Sequence, residues 1–518
     1  MESSLLNRLL LNAEKFSSDI FIFEAETGQG FTYDNFLQDS RRGCHFLIEN
    51  FKDSDIVVLL GNNSYLYAVY AMAAILSGKT LFPLNPGEDC KILSKTLSKL
   101  SKKYVIFSDE EYSFPFENIY LIQDLGNIVV PKNFRLIDPL PCRDLIYIAT
   151  SATTGEPKIV IQKEEALMAN VNALIEHHRL FERKKIATPL PMFHVNALHF
   201  AFFSTLFSGG QLVLFRFFDP RKCFELIERI KVDILSIIPT LLTNLIHNYE
   251  ILKTHDISSL KYFVSAAAPL STETVKDIRK LFGKKIIQGY GLSEAINFSC
   301  TLPIDIDDST YEEVMCREKF PSVGISLECN EVVVFANDFS KAGSGEEGEF
   351  AIRGTNLMAG YLNTVMESFF HKDYFLSGDL GYFKTYKSKK YFFISGRKKE
   401  IAKVSGETVS LRELDELLRQ DNYIGSDFFS VSFNNIYKGE EIGIVCRLES
   451  NYKVQQLAEK LINQFNNIKS NRRPKVILFV RNLNIRTPSG KAKRFFFSEH
   501  FEEFSEKRFL NQTLYKII

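Results

Sequence analysis

From about residue 56 the chain repeats one rhythm, and that rhythm limits the folds open to it. A short β-branched run, DIVVLLG, is followed by an apolar helical segment, YLYAVYAMAAILSG, and then by a second short run, TLFPLNPG. Strand, helix, strand in that order requires a crossover, so the strands are predicted to be parallel and covered by helices. Further strand-like runs follow at KYVIFS, DLIYIAT, QLVLFRF, VDILSII, LKYFVSA and KKIIQGY, with helical patterns such as PRKCFELIERI and PTLLTNLIHNY between them. After about residue 320 the texture changes to short alternating segments, EVVVFA, GEFAIRG and YFFISG, which read as a smaller β part. Beyond Arg397 comes a unit with two helices, LRELDELLR and VQQLAEKLINQF, and three strands, DFFSVSF, EIGIVCRL and KVILFV.

The expected architecture is therefore α/β. A large N-terminal region of parallel α/β subdomains with a smaller β part spans residues 1–396, and a small α+β domain spans 397–518. A length of 518 residues exceeds what one compact core holds, which fits two domains. The 63 basic and 63 acidic side chains cancel, so no global field draws the chain to nucleic acid or an anionic membrane. Eight cysteines are scattered without a C-x-x-C pair, against a zinc or disulfide framework and in favour of a reducing cytoplasm. The most apolar stretch, Ala197 to Phe218, is interrupted by His199, Gln211 and Arg216, and no membrane span or signal peptide is read.

Chemistry first surfaces at TSATTGEPK, Thr150 to Lys158, directly after DLIYIA. Small hydroxylated residues at a strand end let N–H groups and hydroxyls approach phosphate oxygens, and Lys158 adds a mobile cation. An ordinary Ser/Thr/Gly surface loop has the same composition, and the Walker pattern is absent. Tyr290 lies between Gly289 and Gly291, where a ring can stack on a base or simply fill the core. Glu294 offers a hard oxygen ligand, or a solvated carboxylate. Asp379, in Ser-Gly-Asp, is read on a tight turn, and Arg397 after a glycine turn. Lys491, in Thr-Pro-Ser-Gly-Lys, is read on a flexible loop. His194 stands among apolar residues, as core histidines do.

Together these stretches resemble the adenylate-forming superfamily, which comprises acyl- and aryl-CoA synthetases, nonribosomal peptide synthetase adenylation domains and firefly luciferase. TSATTGEPK is similar to its phosphate loop, departing at Ala152 and Ile159. LLGNNSYLYAVYAMAAIL and SGKTLFPLNP are similar to two early structural motifs, PLPMFHVNAL to the acyl-pocket segment, and VSAAAPLS and QGYGLSEA to the adenine stretch and the Tyr-Gly-x-Thr-Glu motif, with Ser293 for Thr. GEFAIRGTNLMAGYLN, YFLSGDLGYF, ISGRKKEIAKVSGETVSLRELDELL and RTPSGKAKR follow in the family's order, so the resemblance runs from about residue 56 to Arg494.

The resemblance implies an enzyme that activates a carboxylic acid with ATP and Mg²⁺ as acyl-AMP, then passes the acyl group to a thiol. It implies ATP contacts at Thr150, Ser151, Thr153, Thr154, Gly155, Lys158, Ala267, Gln288, Gly289, Tyr290, Gly291, Ser293, Asp379, Ile394 and Arg397. Glu294 matches the metal ligand and Lys491 the adenylation lysine. His194, Val195 and Ala266 match the acyl pocket, Lys399 the hinge of a mobile small domain, and Gly406 the thiol channel. The thiol is coenzyme A or the phosphopantetheine of an acyl or peptidyl carrier protein acting in trans. An inactive homologue that keeps the fold is the third reading. Amino-acid adenylation domains place an Asp where this chain has Val195, so an α-ammonium would lack its counter-charge.

Overall fold

The computed structural model describes residues 4–111, 116, 118–138, 143–150, 157–405, 407–420, 427–448, 454–465, 468, 472–481, 483–487, 490–509 and 513–518. The rhythm near residue 56 builds a seven-stranded sheet. Ile56–Leu60 lies between Thr80–Leu84 and Tyr104–Ser108, parallel to both, and Ile146–Thr150 continues the sheet in parallel beyond Thr80–Leu84. Lys158–Gln162 then returns antiparallel to Ile146–Thr150. All five residues of Ile56–Leu60 are buried, as a strand covered on both faces requires. The helix Tyr65–Leu76, capped by Ser64, is buried nearly all round. An all-apolar helix is stable only in that position, and its residues share one core with strands of two sheets.

The second sheet has nine strands. Lys185–Thr188, Gln211–Leu214, Ile234–Ile237, Tyr262–Ser265 and Lys285–Gly291 are parallel at its centre, each pair bridged by helix. The helix Pro220–Ile230 matches its sequence signal residue for residue, with Asp219 as N-cap and Pro220 at the first helical position. A third sheet of five strands, from Asn330–Phe335 to Lys389–Arg397, is the smaller β part, and a fourth of six strands starts at Ile401–Val404. The fourth encloses apolar clusters of its own around Ile444 and Phe479 on one face and Val431 and Leu478 on the other. The α/β reading with parallel strands is borne out. Among the described residues no helix is long and apolar enough to cross a membrane, and Cys44, Cys90, Cys223, Cys300, Cys316 and Cys329 form no disulfide.

Candidate active site

Asp379 and Arg397 occupy strands, not the turns expected for them. Tyr374–Tyr386 pairs antiparallel with Lys389–Arg397, and the register sets Asp379 directly opposite Arg397. The Ser-Gly-Asp bend is a kink inside the strand, where Gly378 takes φ 75°. Cross-strand placement brings Arg397 Nε to 2.8 Å from Asp379 Oδ1. On the other oxygen, Tyr290 donates its hydroxyl to Oδ2 at 2.8 Å. Asp379 is 4% exposed, and its charge raises both the Tyr290 phenol, which burial pushes furthest, and the Arg397 guanidinium. Ile394 lies buried on the same strand as Arg397.

Tyr290 is the sixth residue of the strand Lys285–Gly291, and its ring meets Phe350 edge-on at 5.6 Å. Its flanking glycines serve the protein's own backbone. A Cβ at Gly291 would stand 1.7 Å from the Asn297 carbonyl oxygen, and one at Gly289 would meet the Phe298 ring at 2.9 Å. Close approach of the returning strand Phe298–Thr301 thus requires glycine at both positions. Ala267, just after Tyr262–Ser265, holds φ 69°, a left-handed conformation that a non-glycine residue adopts only when its surroundings impose it. Gln288 is 4% exposed, and its Oε1 has no hydrogen-bond partner among the described residues.

The turn carrying Lys491 is closed by hydrogen bonds, where a flexible loop was expected. Thr487 N donates to Lys491 O at 2.8 Å, Gly490 N to Thr487 O at 2.8 Å, and Lys491 N to Thr487 Oγ1 at 3.1 Å. Gly490, at φ 81°, lies against the second sheet: a Cβ there would meet Ile238 at 3.2 Å and Ala268 at 3.6 Å. The ammonium of Lys491 consequently enters the field of Arg397, Glu294, Asp379 and Glu400. Desolvation, then Arg397, push its pKa down to about 8 against the opposing pull of the three carboxylates. Glu400 also pairs with Arg494 at 3.3 Å, and Arg494 reaches Asp415 at 2.8 Å.

Glu294 sits on a single 3-10 turn, Ser293–Ala295, fixed by Gln162 Nε2 donating to Ser293 O at 3.0 Å. Tyr361 donates its hydroxyl to Glu294 Oε1 at 2.6 Å. The rings of Tyr361 and Phe369 flank Lys158, at 4.5 and 4.1 Å from Nζ. Neither aromatic was singled out from the sequence, although Tyr361 belongs to the MAGYLN stretch. Thr150 and Lys158 face each other as strand partners, and burial, then Lys399, lower the Lys158 pKa while Glu294 raises it. Ser151, Thr153, Thr154 and Gly155, with Ala152, lie outside the described residues, as does Gly406. Ile159, the second departure from the phosphate-loop pattern, is 1% exposed in the core, so packing accounts for its side chain.

His194 follows Phe193 just before the π-helix Asn196–Phe203. Burial, then the Lys491 charge, push its pKa down to about 3, so the imidazole is neutral throughout the ordinary pH range. Its Nε2 has no partner among the described residues. Val195 turns its carbonyl to His199 Nδ1 at 3.0 Å, and Ala266 is 3% exposed beside the strained Ala267. Lys399 is exposed on the turn that leads from the third sheet to the fourth.

Residues 11–362 match the family described as AMP-binding enzyme. The chain is 27% identical over 362 residues to a sulfoacetate–CoA ligase of Cupriavidus necator, covering 69% of this chain and 67% of that one. It is 27% identical over 353 residues to a long-chain-fatty-acid–CoA ligase of Bacillus subtilis, covering 67% of this chain but 59% of that one, less than two thirds of its length. The solved structure of o-succinylbenzoate CoA synthetase from Bacillus subtilis, in complex with its acyl-adenylate intermediate, superposes with a TM-score of 0.81. That match is 19% identical and covers 95% of this chain and 98% of the other, a likeness of fold.

Proposed function

The chain belongs to the AMP-binding enzyme family, and from that premise we propose that it is an AMP-forming acid–thiol ligase that uses coenzyme A. The observation that supports this reading best is convergence: Lys491 from the terminal turn, Arg397 and Asp379 from the third sheet and Glu294 from the second share one electrostatic environment. In the first step a carboxylate oxygen bonds to the α-phosphorus of ATP and the α–β phosphoanhydride breaks, releasing pyrophosphate. The carboxylate is already ionised at neutral pH, so no general base is needed. What the step requires is screening of two approaching anions, the work of Lys491 and Lys158. Asp379 offers its remaining lone pairs to ribose hydroxyls while Arg397 and Tyr290 hold it still. In the second step the thiol loses its proton, its sulfur bonds to the acyl carbon, and AMP leaves.

Magnesium, bound with the triphosphate, supplies further charge neutralisation. Glu294 suits it: Oε1 takes the Tyr361 hydroxyl, and Oε2 has no hydrogen bond among the described residues. A hard carboxylate oxygen is the kind of ligand that would hold such an ion. The test is ATP–pyrophosphate exchange over a panel of carboxylic acids. Exchange should appear with an acid lacking an α-ammonium and vanish in excess chelator. An ordinary amino acid as the best substrate would overturn the reading of Val195, and exchange that survives chelation would overturn that of Glu294.

The depressed Lys491 pKa has a pH signature. A cation with a lowered pKa is charged below that value and neutral above it, so the kcat/KM of adenylation should fall as pH rises through about 8. Bound triphosphate favours the ammonium, so the limb of the kcat profile should lie higher. His194, neutral throughout, should add no limb. A kcat/KM profile flat to about pH 10 would remove Lys491 from the reacting centre.

A further inference from the structure

The turn that carries Lys491 is closed by its own hydrogen bonds, but those bonds do not fix how it stands against the rest of the small domain. Arg486, at the start of the turn, does. Its Nε lies 2.8 Å from both carboxylate oxygens of Asp427, and its Nη2 lies 2.6 Å from Oδ1. The same Nη2 donates to Phe428 O at 3.1 Å, and Nη1 donates to Gly490 O at 3.2 Å. Every nitrogen of the guanidinium is thus engaged, and its carbon lies 5.9 Å from the Phe429 ring centroid. The pair is partly enclosed, with the Arg486 side chain 16% exposed and that of Asp427 33%.

The bond to Gly490 acts on the peptide that leads into Lys491. Arg486 holds the oxygen of that peptide, and Thr487 Oγ1 accepts its N–H at 3.1 Å. A planar peptide fixed at both its oxygen and its nitrogen sets the direction in which the next side chain leaves the backbone. At the far end, Asp427 is anchored to the fourth sheet. It immediately precedes the strand Phe428–Asn435, which pairs with Gly439–Arg447, and its carbonyl accepts the Arg447 N–H at 2.8 Å. Sheet, carboxylate, guanidinium and the Gly490 carbonyl therefore form one continuous path to Lys491. Asp427 lies 59 residues before Arg486 and outside every stretch that carries the family resemblance.

We propose that Asp427, acting through Arg486, is a positioning residue for adenylation, which aims the Lys491 ammonium at the reacting centre. The inference rests on the reading of Lys491 given above and deepens it by naming what holds that lysine in place. The charged groups that act on the ammonium are Arg397, Glu294, Asp379 and Glu400, with neutral His194 beside them. The Asp427–Arg486 pair acts on its position instead. A half-exposed ion pair adds little to stability, whereas a planar fork held by a carboxylate is well suited to fixing geometry.

The test uses the full chain and measures each half-reaction separately. Asp427→Ala should lower the kcat of acyl-AMP formation by about 10–10²-fold, the cost of a misplaced reacting group, with the KM for ATP nearly unchanged. Thioester formation from supplied acyl-AMP should be retained. The alkaline limb of kcat/KM for adenylation, expected near pH 8, should move to higher pH, because a displaced Lys491 regains water and draws away from Arg397. A purely structural defect would reduce the amount of active enzyme and leave that limb in place. Arg486→Lys, whose ammonium cannot serve Asp427 and Gly490 together, should match Asp427→Ala. The two changes combined should cost no more than either alone, and Asp427→Glu should restore most of the rate. Should urea unfolding show that Asp427→Ala does not fold, Asp427→Asn, which keeps an acceptor for Nε but no charge, carries the same comparison with a smaller loss. Wild-type adenylation with an unmoved limb, or equal losses in both half-reactions, would overturn the positioning role. Lys491→Ala that leaves acyl-AMP formation unchanged would instead overturn the reading of Lys491 beneath it.

Discussion

Lys491→Ala should slow acyl-AMP formation by roughly 10²–10³-fold, the usual loss of one charge-stabilising donor, while thioester formation from supplied acyl-AMP stays nearly intact. The expectation follows from where the ammonium stands. It shares the field of Glu294, Asp379 and Arg397, and its desolvation, with Arg397 beside it, already lowers its pKa to about 8. A cation held at that cost of solvation interacts strongly with any anion that enters. The charge is useful while carboxylate and α-phosphate are being forced together, and has no comparable task when a thiol attacks the finished acyl-AMP. Each half-reaction is therefore measured separately. Equal losses in both would mean that Lys491 holds the nucleotide throughout the cycle. Lys491→Arg should recover little, because the closed turn from Thr487 fixes the reach of the side chain and a planar fork does not replace a point charge there.

A complementary loss belongs to the stretch after Ser405. If the fourth sheet moves as a body about Lys399, a bulky residue at Gly406 should obstruct the thiol and spare adenylation.

The sequence carries local signals well and convergent ones poorly. The helix Pro220–Ile230 is legible because its cap, its first-turn proline and its apolar face lie within a dozen residues. The strands of the two large sheets are legible because burial on both faces demands continuous apolar runs. By contrast, Asp379 and Arg397 are 18 positions apart, and the hairpin register that sets them face to face passes through a bulge near Leu380 that no local pattern announces. The glycines around Tyr290 are visible as glycines, but what they admit is the Asn297–Phe298 backbone and ring, a partner fixed only by strand return. Tyr361 stands in a stretch whose resemblance was noted, yet its contact with Glu294 crosses 67 residues. The resemblance identifies which residues gather, and tertiary structure supplies which of them touch.

Asp379→Ala should be the most costly change in the nucleotide site, because it removes the acceptor of two groups at once. Tyr290 would lose the carboxylate that its buried hydroxyl donates to, keeping only its contact with Ser377, and Arg397 would lose its only ion pair among the described residues. A fully enclosed ion pair loses about 3–5 kcal/mol when one partner is deleted. The Arg397 side chain is 38% exposed, however, so water recovers part of that and a loss of about 2–3 kcal/mol is expected. The kcat/KM for ATP should fall by about 10²-fold or more, combining a lost charged contact with a displaced Arg397. Asp379→Asn separates the two effects. Its amide keeps the shape and one acceptor for Arg397, so most of the stability should remain, whereas the charge is gone and ATP use should still fall. Tyr290→Phe removes only the hydroxyl, and should cost about 1 kcal/mol of stability with a modest rise in the KM for ATP. Urea unfolding and ATP kinetics on the three variants decide the matter. Should Asp379→Asn retain full activity, Asp379 would be a strut for Arg397 and Tyr290, and recognition of the ribose would have to lie elsewhere in the site.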